Sequence, residues 1–313
     1  MTLIARNAQI STLGGYTQEL LQKMLDSQRF VAMSGLDKEA RGFVPPVAVN
    51  GDDSLLRMVG NKGAFALRID TKLLPSSVVA AEVAHRAEEI EETQGFRLGR
   101  KQRKELIEQV TDELLPKAFT RTTLIRAWAD WDAGLLIIDA ANAGKRDVVF
   151  DVLFNGAMKA LDADTSKSTA PIRLWQTNED AAGCMTEWLA TSEAPAGITL
   201  DDGALIEGDE GAKVRISKQS VSTDQVKSLL EMGGQVTELA ITINDQISCV
   251  LTKNLGIKRM THLDMTAHDE RTADLFEGQL RNAEIILNAG AVTTIMAAIN
   301  AAMGGQKHAH ARI

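Results

Sequence analysis

Two amphipathic segments run back to back between Ser76 and Leu115, and glycine and proline fix where each can end. Val79, Val83, Ala87 and Ile90 recur as one apolar stripe; Leu106, Ile107, Val110 and Leu114 recur as another. Gly95 and Gly99 interrupt the pattern between them, and Pro116 stops the second. The spacing predicts helices over 76–94 and about 100–115, the first capped by Ser76 or Ser77. A link this short folds them into an antiparallel helical hairpin. Alternating patterns flank the pair on both sides. Leu55 to Leu74 reads as a β-hairpin turning at Asn61-Lys62-Gly63, and Thr122 to Ala140 as another turning at Asp132-Ala133-Gly134. Without regular strand–helix–strand alternation, the class is α+β with antiparallel sheets, interspersed helices and a projecting helical hairpin.

The remaining chain fits that class. A strand is expected within Thr2 to Leu13, a helix over Thr17 to Asp26, and extended chain at Arg41 to Val49, where Pro45-Pro46 forbids helix. Helices are expected over Lys145 to Leu161, from an Asn178 cap to Leu189, and over Thr223 to Met232, with a short strand at Ile172 to Gln176. Asp201-Asp202-Gly203 and Gly208 to Gly211 read as hairpin turns, and Val236 to Leu263 as two or three strands. The ending reads as helix (Arg271 to Leu280), strand (Ala283 to Leu287) and helix (Gly290 to Met303). The expected divisions are 1–75, the N-terminal part of a central α+β region; 76–121, the hairpin; 122–196, an α+β segment; 197–235, a small β-rich projection; 236–304, a C-terminal α+β part; and 305–313, a disordered tail.

Of 313 residues, 44% are hydrophobic and 24% charged, the balance of a globular chain. No apolar run is read as long enough to span a bilayer, and no signal-peptide core is seen at the start, so the expectation is a cytoplasmic protein without membrane contact. Cys184 and Cys249, both flanked by apolar residues, are expected as buried thiols. Phosphate loops, dinucleotide fingerprints and nucleophile or zinc motifs are absent. One cluster, His262, Asp264, His268 and Asp269, has metal-ligating residue types, but it crosses from a strand end to a helix start, where such residues serve as caps and turn formers. The reading is therefore non-enzymatic, with no metal and no cofactor.

The net charge is -8, yet five of the eight residues from Arg97 to Lys104 are basic: Arg97, Arg100, Lys101, Arg103 and Lys104. The preceding helix is acidic, with Glu82, Glu88, Glu89, Glu91 and Glu92. Cations at a helix start oppose the helix dipole by a few tenths of a kcal/mol each, which favours a bound anion there. A solvated helix start is the alternative, and the residues alone leave both open. Tyr16 is the only tyrosine, and the four tryptophans sit at packing positions. Stacking on single strands is thus disfavoured against backbone contact to a duplex. By its own pattern Phe119, just past the proline stop, reads as core rather than as an interface anchor.

Several stretches together resemble the RdgC family of recombination-associated proteins over nearly the whole chain. They are GFVPP (Gly42 to Pro46), KLLPSSVV (Lys72 to Val79), LLPKAFTR (Leu114 to Arg121), MTEWL (Met185 to Leu189), SKQSVST (Ser217 to Thr223), EMGGQVTELAITINDQISCVL (Glu231 to Leu251), IKRMTHLD (Ile257 to Asp264) and the ending from Ala283 to Gly305. The resemblance implies a nucleoid-associated protein that forms a ring-shaped homodimer around double-stranded DNA, independent of sequence, and restrains RecA-dependent strand exchange. It implies a ring-closing phenylalanine, matching Phe119, and a Lys-Gln pair at DNA, matching Lys218 and Gln219. With these, Arg97, Arg100, Lys101, Arg103, Lys104, Lys117 and Arg121 are expected to face DNA. The alternative is a regulator acting on RecA by protein contact with little DNA binding.

Overall fold

A computed structural model describes residues 4–47, 53–160, 172–208, 211–217, 221, 224–263 and 277–307. The chain divides into two compact units. The larger comprises Met1–Ser27, Pro45–Ala66 and Ile125–Ile313, and the smaller Gln28–Val44 and Leu67–Leu124.

In the smaller unit, β2 (Glu39–Val44) and parts of two long strands, β4 (Lys62–Leu73) and β5 (Phe119–Asp130), form a sheet in the order β5-β4-β2. Gly42 is needed because the chain turns back on itself: a Cβ there would meet Phe30 Cα at 2.3 Å. Phe30 N donates to Phe43 O at 2.9 Å and Phe43 is fully buried, which accounts for the start of the GFVPP stretch. Arg68 stacks 4.5 Å above the Phe30 ring and grips Asp70 at 2.6 Å.

The helical pair joins this unit as α2 (Ser76–Gln94) and α3 (Arg100–Leu114), followed by a 3-10 turn at Leu115–Lys117 where Pro116 interrupts the ladder. Val79, Val83 and Ala87 meet Leu106 and Val110 in a small core of their own. Gly95 ends α2 in the left-handed region (φ 76), with its N–H on Glu91 O, and the Glu91 carboxylate receives Leu98 N–H at 2.9 Å. One cap differs from expectation. Pro75 precedes α2 in extended conformation, with no side-chain cap, so neither Ser76 nor Ser77 caps it. Proline presets that entry and leaves both serines inside the first turn.

The larger unit carries two sheets. In the first, β1 (Gln9–Thr12), β6 (Leu135–Ile138), β5, β4 and β3 (Arg57–Val59) follow in that order, with β1 and β5 both antiparallel to β6. The β3–β4 turn is Gly60-Asn61, one residue earlier than expected, because Val59 pairs with Lys62 and Gly60 supplies the positive φ. The second sheet runs β11-β10-β9-β7-β8, from Ile198–Glu207 (β7), Lys213–Ser217 (β8), Gln235–Ile243 (β9), Ile247–Thr252 (β10) and Ile257–His262 (β11). Asp201-Asp202-Gly203 is not a hairpin turn but an irregularity inside β7, where the register against β9 shifts between Leu200 and Ala204.

Helices α1 (Gln18–Ser27), α4 (Ala143–Ala160), α5 (Ala181–Thr191) and α6 (Asp224–Glu231) also belong to this unit. Asp180, rather than Asn178, caps α5, accepting from Gly183 N at 2.8 Å. The expected strand at Ile172 to Gln176 makes only an isolated bridge, Ser11 to Leu174. The expected strand at Ala283–Leu287 is also absent. One helix, α7 (Glu277–Ala302), runs through it, burying Ile285, Ala289, Val292, Ile295 and Ile299 at helical spacing. By length and composition it would reach across a bilayer, with a mean hydropathy of 1.7, contrary to the sequence reading. Its buried stripe joins Leu239, Ile241 and Leu251 of the second sheet and Met185 and Leu189 of α5 in the main core. Burial of each such side chain stabilises by about 1.5–3 kcal/mol.

Candidate nucleic-acid interface

All five cations of the basic run are exposed. They gather at the linker end of the hairpin because Gly99 starts α3 in extended conformation and the Gln102 carboxamide oxygen accepts from Gly99 N at 3.0 Å. Arg100, Lys101 and Arg103 then occupy the first turn, with no acidic residue beside them there.

Their pairing is sparse. Lys101 reaches Glu105 only at 3.9 Å and Lys104 reaches Glu108 only at 3.7 Å. Both pairs are solvent-exposed and run in the less favourable Lys-to-Glu direction, so each contributes at most a few tenths of a kcal/mol. Among the described residues no carboxylate lies within ion-pair distance of Arg97, Arg100 or Arg103. The acidic side chains of α2 do not neutralise them. Arg86 instead joins the two helices, bonded to Glu82 at 2.7 Å and to Glu113 at 2.8 Å. That bond holds the Glu113 carboxyl below the usual range, helped by Gln109.

Cations of the second sheet behave differently. Lys213 and Lys253 share Glu207 at 3.4 and 3.2 Å, and Lys258 and Arg215 share Glu238 at 2.6 and 3.6 Å. The lysine bonds hold Glu207 ionised, below its ordinary pKa. The three lysines and both glutamates line an open groove of about 790 Å³ together with Arg146 and Lys307, and with Glu179 and Asp180. Its charges largely cancel. At the start of α3, by contrast, the positive charge is little compensated.

Lys117 and Arg121 are also exposed, but they stand past the other end of α3. Fifteen residues at 1.5 Å each put that end roughly 22 Å from the basic turn. The seven cations thus form two groups. Lys218 and Gln219 lie outside the described residues, as do Asp264, His268 and Asp269 of the tempting metal cluster; His262 closes β11. Among the described residues no group of three or more metal-ligating side chains occurs.

Phe119 is 85% exposed and opens β5. Its reading as core is overturned: Leu115, four residues earlier, is the buried one. Phe96, between the two glycines, is 62% exposed at the linker; in the sequence an aromatic among charges gives no sign of which way it faces. Trp128, Trp175 and Trp188 are buried, as their positions suggested, and Trp131 donates its indole N–H to Tyr16 O at 2.9 Å. Both thiols are buried as expected. Burial pushes Cys249 up to about 12, and burial with the Glu179 carboxylate pushes Cys184 up to about 11, which keeps both protonated and unreactive.

The family model described as "Putative exonuclease, RdgC" matches residues 5–306. A Recombination-associated protein RdgC from Cupriavidus pinatubonensis is 35% identical over 291 residues, covering 92% of this chain and 93% of its own. One from Bordetella pertussis is 35% identical over 283 residues, 89% of this chain and 90% of its own. Another, from Burkholderia ambifaria, is 33% identical over 294 residues, 93% and 92% of the two.

Proposed function

Given that the chain belongs to the RdgC family of recombination-associated proteins, we propose that it binds double-stranded DNA independently of sequence, as a ring-shaped homodimer. By occupying the duplex it restrains RecA-dependent recombination, and it is nucleoid-associated in the cytoplasm. The observation that carries this reading is the start of α3, where five exposed cations stand with two long ion pairs between them. Such side chains bind phosphate without reading bases, and counterion release drives the binding. Lys117, Arg121, Lys218 and Gln219 extend the contact, and Phe119 anchors the second subunit.

Binding proceeds without cleavage in this proposal, although the family description includes the word exonuclease. The supporting observation is chemical: among the described residues no three metal-ligating side chains gather to hold a divalent ion, and the candidate phosphate contacts there are arginines and lysines. Two duplexes of unrelated sequence, each offered at low salt, test the reading together with supercoiled plasmid in Mg²⁺ or Mn²⁺. Equal affinity for both duplexes and intact plasmid are expected. A strong sequence preference, or nicking and shortening of the DNA, contradicts it.

A further inference from the structure

The open groove beside the second sheet lies wholly within the larger unit, and one buried polar group in its lining lacks a partner. Gln9 opens β1 and is only 7% exposed, yet its carboxamide borders the groove. Gly256 makes the room, since a Cβ there would collide with the Gln9 amide nitrogen. Gln9 Oε1 accepts from Arg146 Nη1 at 3.4 Å, a long bond, and among the described residues Gln9 Nε2 donates to nothing. Leaving a buried N–H without an acceptor costs about 1–3 kcal/mol, so an acceptor belongs there. Arg146 stands in the first turn of α4 with its side chain 13% exposed. Its Nε and Nη2 hold Asp147, which leaves Nη1 with the long bond alone.

The rest of the lining decides which acceptor fits. The lysines of the sheet are already committed, Lys213 and Lys253 to Glu207 and Lys258 to Glu238. Glu179 and Asp180 add two further carboxylates, with no cation in ion-pair distance among the described residues. A polyanion would meet four carboxylates in this groove, whereas a single negative charge meets the Arg146 guanidinium first. Two neighbouring N–H donors, one of them cationic, match the two oxygens of a carboxylate. The start of α4 adds the positive end of a helix dipole. At about 790 Å³ the groove has the size of a site for a small organic molecule, about 300–1,000 Å³. We propose that Gln9 and Arg146 form a subsite for a small monocarboxylate. One oxygen accepts from Gln9 Nε2 and the other from Arg146 Nη1, and the body of the ligand lies along the groove beside the half-exposed Leu174. This subsite is separate from the cations at the start of α3 and stands whether or not they hold DNA.

Proton–nitrogen correlation NMR on the isotope-labelled full chain tests this with sodium acetate as the probe. Sodium chloride at matched ionic strength, inorganic phosphate and a short DNA duplex are the comparisons. The Gln9 carboxamide signal is the side-chain pair that disappears in Gln9→Glu. Acetate should shift it saturably in the millimolar range, about tenfold more tightly than phosphate, and chloride should leave it in place. Gln9→Glu sets a carboxylate of its own beside Arg146, so its melting temperature should be kept or raised while acetate binding weakens by about tenfold or more. Arg146→Lys keeps the charge but loses the planar fork, and should weaken acetate about tenfold with the Gln9 signal still present. A Gln9 amide that ignores acetate, or acetate binding that both variants leave unchanged, overturns the proposal and gives the Gln9 N–H to water. A stronger response to phosphate or to the duplex overturns the carboxylate assignment and gives the groove to phosphate.

Discussion

Asp70 has its side chain 8% exposed, gripped by Arg68 and hydrogen-bonded by the Thr122 hydroxyl at 2.8 Å. The Arg68 bond is the largest influence on it and holds its pKa below the ordinary 3.8. A carboxylate with a depressed folded pKa contributes its full stability above the unfolded value and loses it as pH falls through the folded one. Thermal unfolding followed by circular dichroism should therefore show stability dropping below about pH 4. Asp70→Asn should be less stable at pH 7 by about 1–2 kcal/mol and flatter on the acid side. An acid limb that survives in the variant would place the titration elsewhere. Single residues were unevenly legible. The buried cysteines and tryptophans could be read from their apolar neighbours, but Phe119 could not. An apolar residue after a helix stop looks like core until the neighbouring strand is known to end short of it.

The hairpin of α2 and α3 was the most legible element, because periodicity, glycine breaks and a proline stop agree on the same boundaries. Its core is only a few side chains deep, so each one matters. Leu106→Ala should destabilise the pair by about 2–4 kcal/mol and speed amide exchange across 76–114 on the order of a hundredfold. Exchange unchanged there would mean that something other than this core holds the helices. Helix α7 was the least legible. Its Ile285-Ile286-Leu287 run reads as strand locally, and only the buried series continuing to Ile299 shows the helical period. Asp201-Asp202-Gly203 failed for the converse reason: turn-forming residues serve equally well in a strand irregularity, and pairing with β9 decides between them.

For the whole molecule, a net charge of -8 and a phosphate-binding role are compatible because the charge is unevenly placed. Around Glu207 and Glu238 cations share carboxylates; at the start of α3 they stand nearly alone. The α+β class and the basic run were both visible in the sequence. Which cations are neutralised was not, since the pairs Lys253–Glu207 and Lys258–Glu238 join residues distant in the chain. Duplex affinity measured against salt, for the native chain and for Arg100→Ala/Arg103→Ala, tests the central claim most directly. With roughly six phosphates contacted, the log–log slope should be about -5, and the double variant should flatten it by about two. A salt-independent affinity, or a slope the variant leaves unchanged, would show that the exposed cations at the start of α3 do not hold DNA.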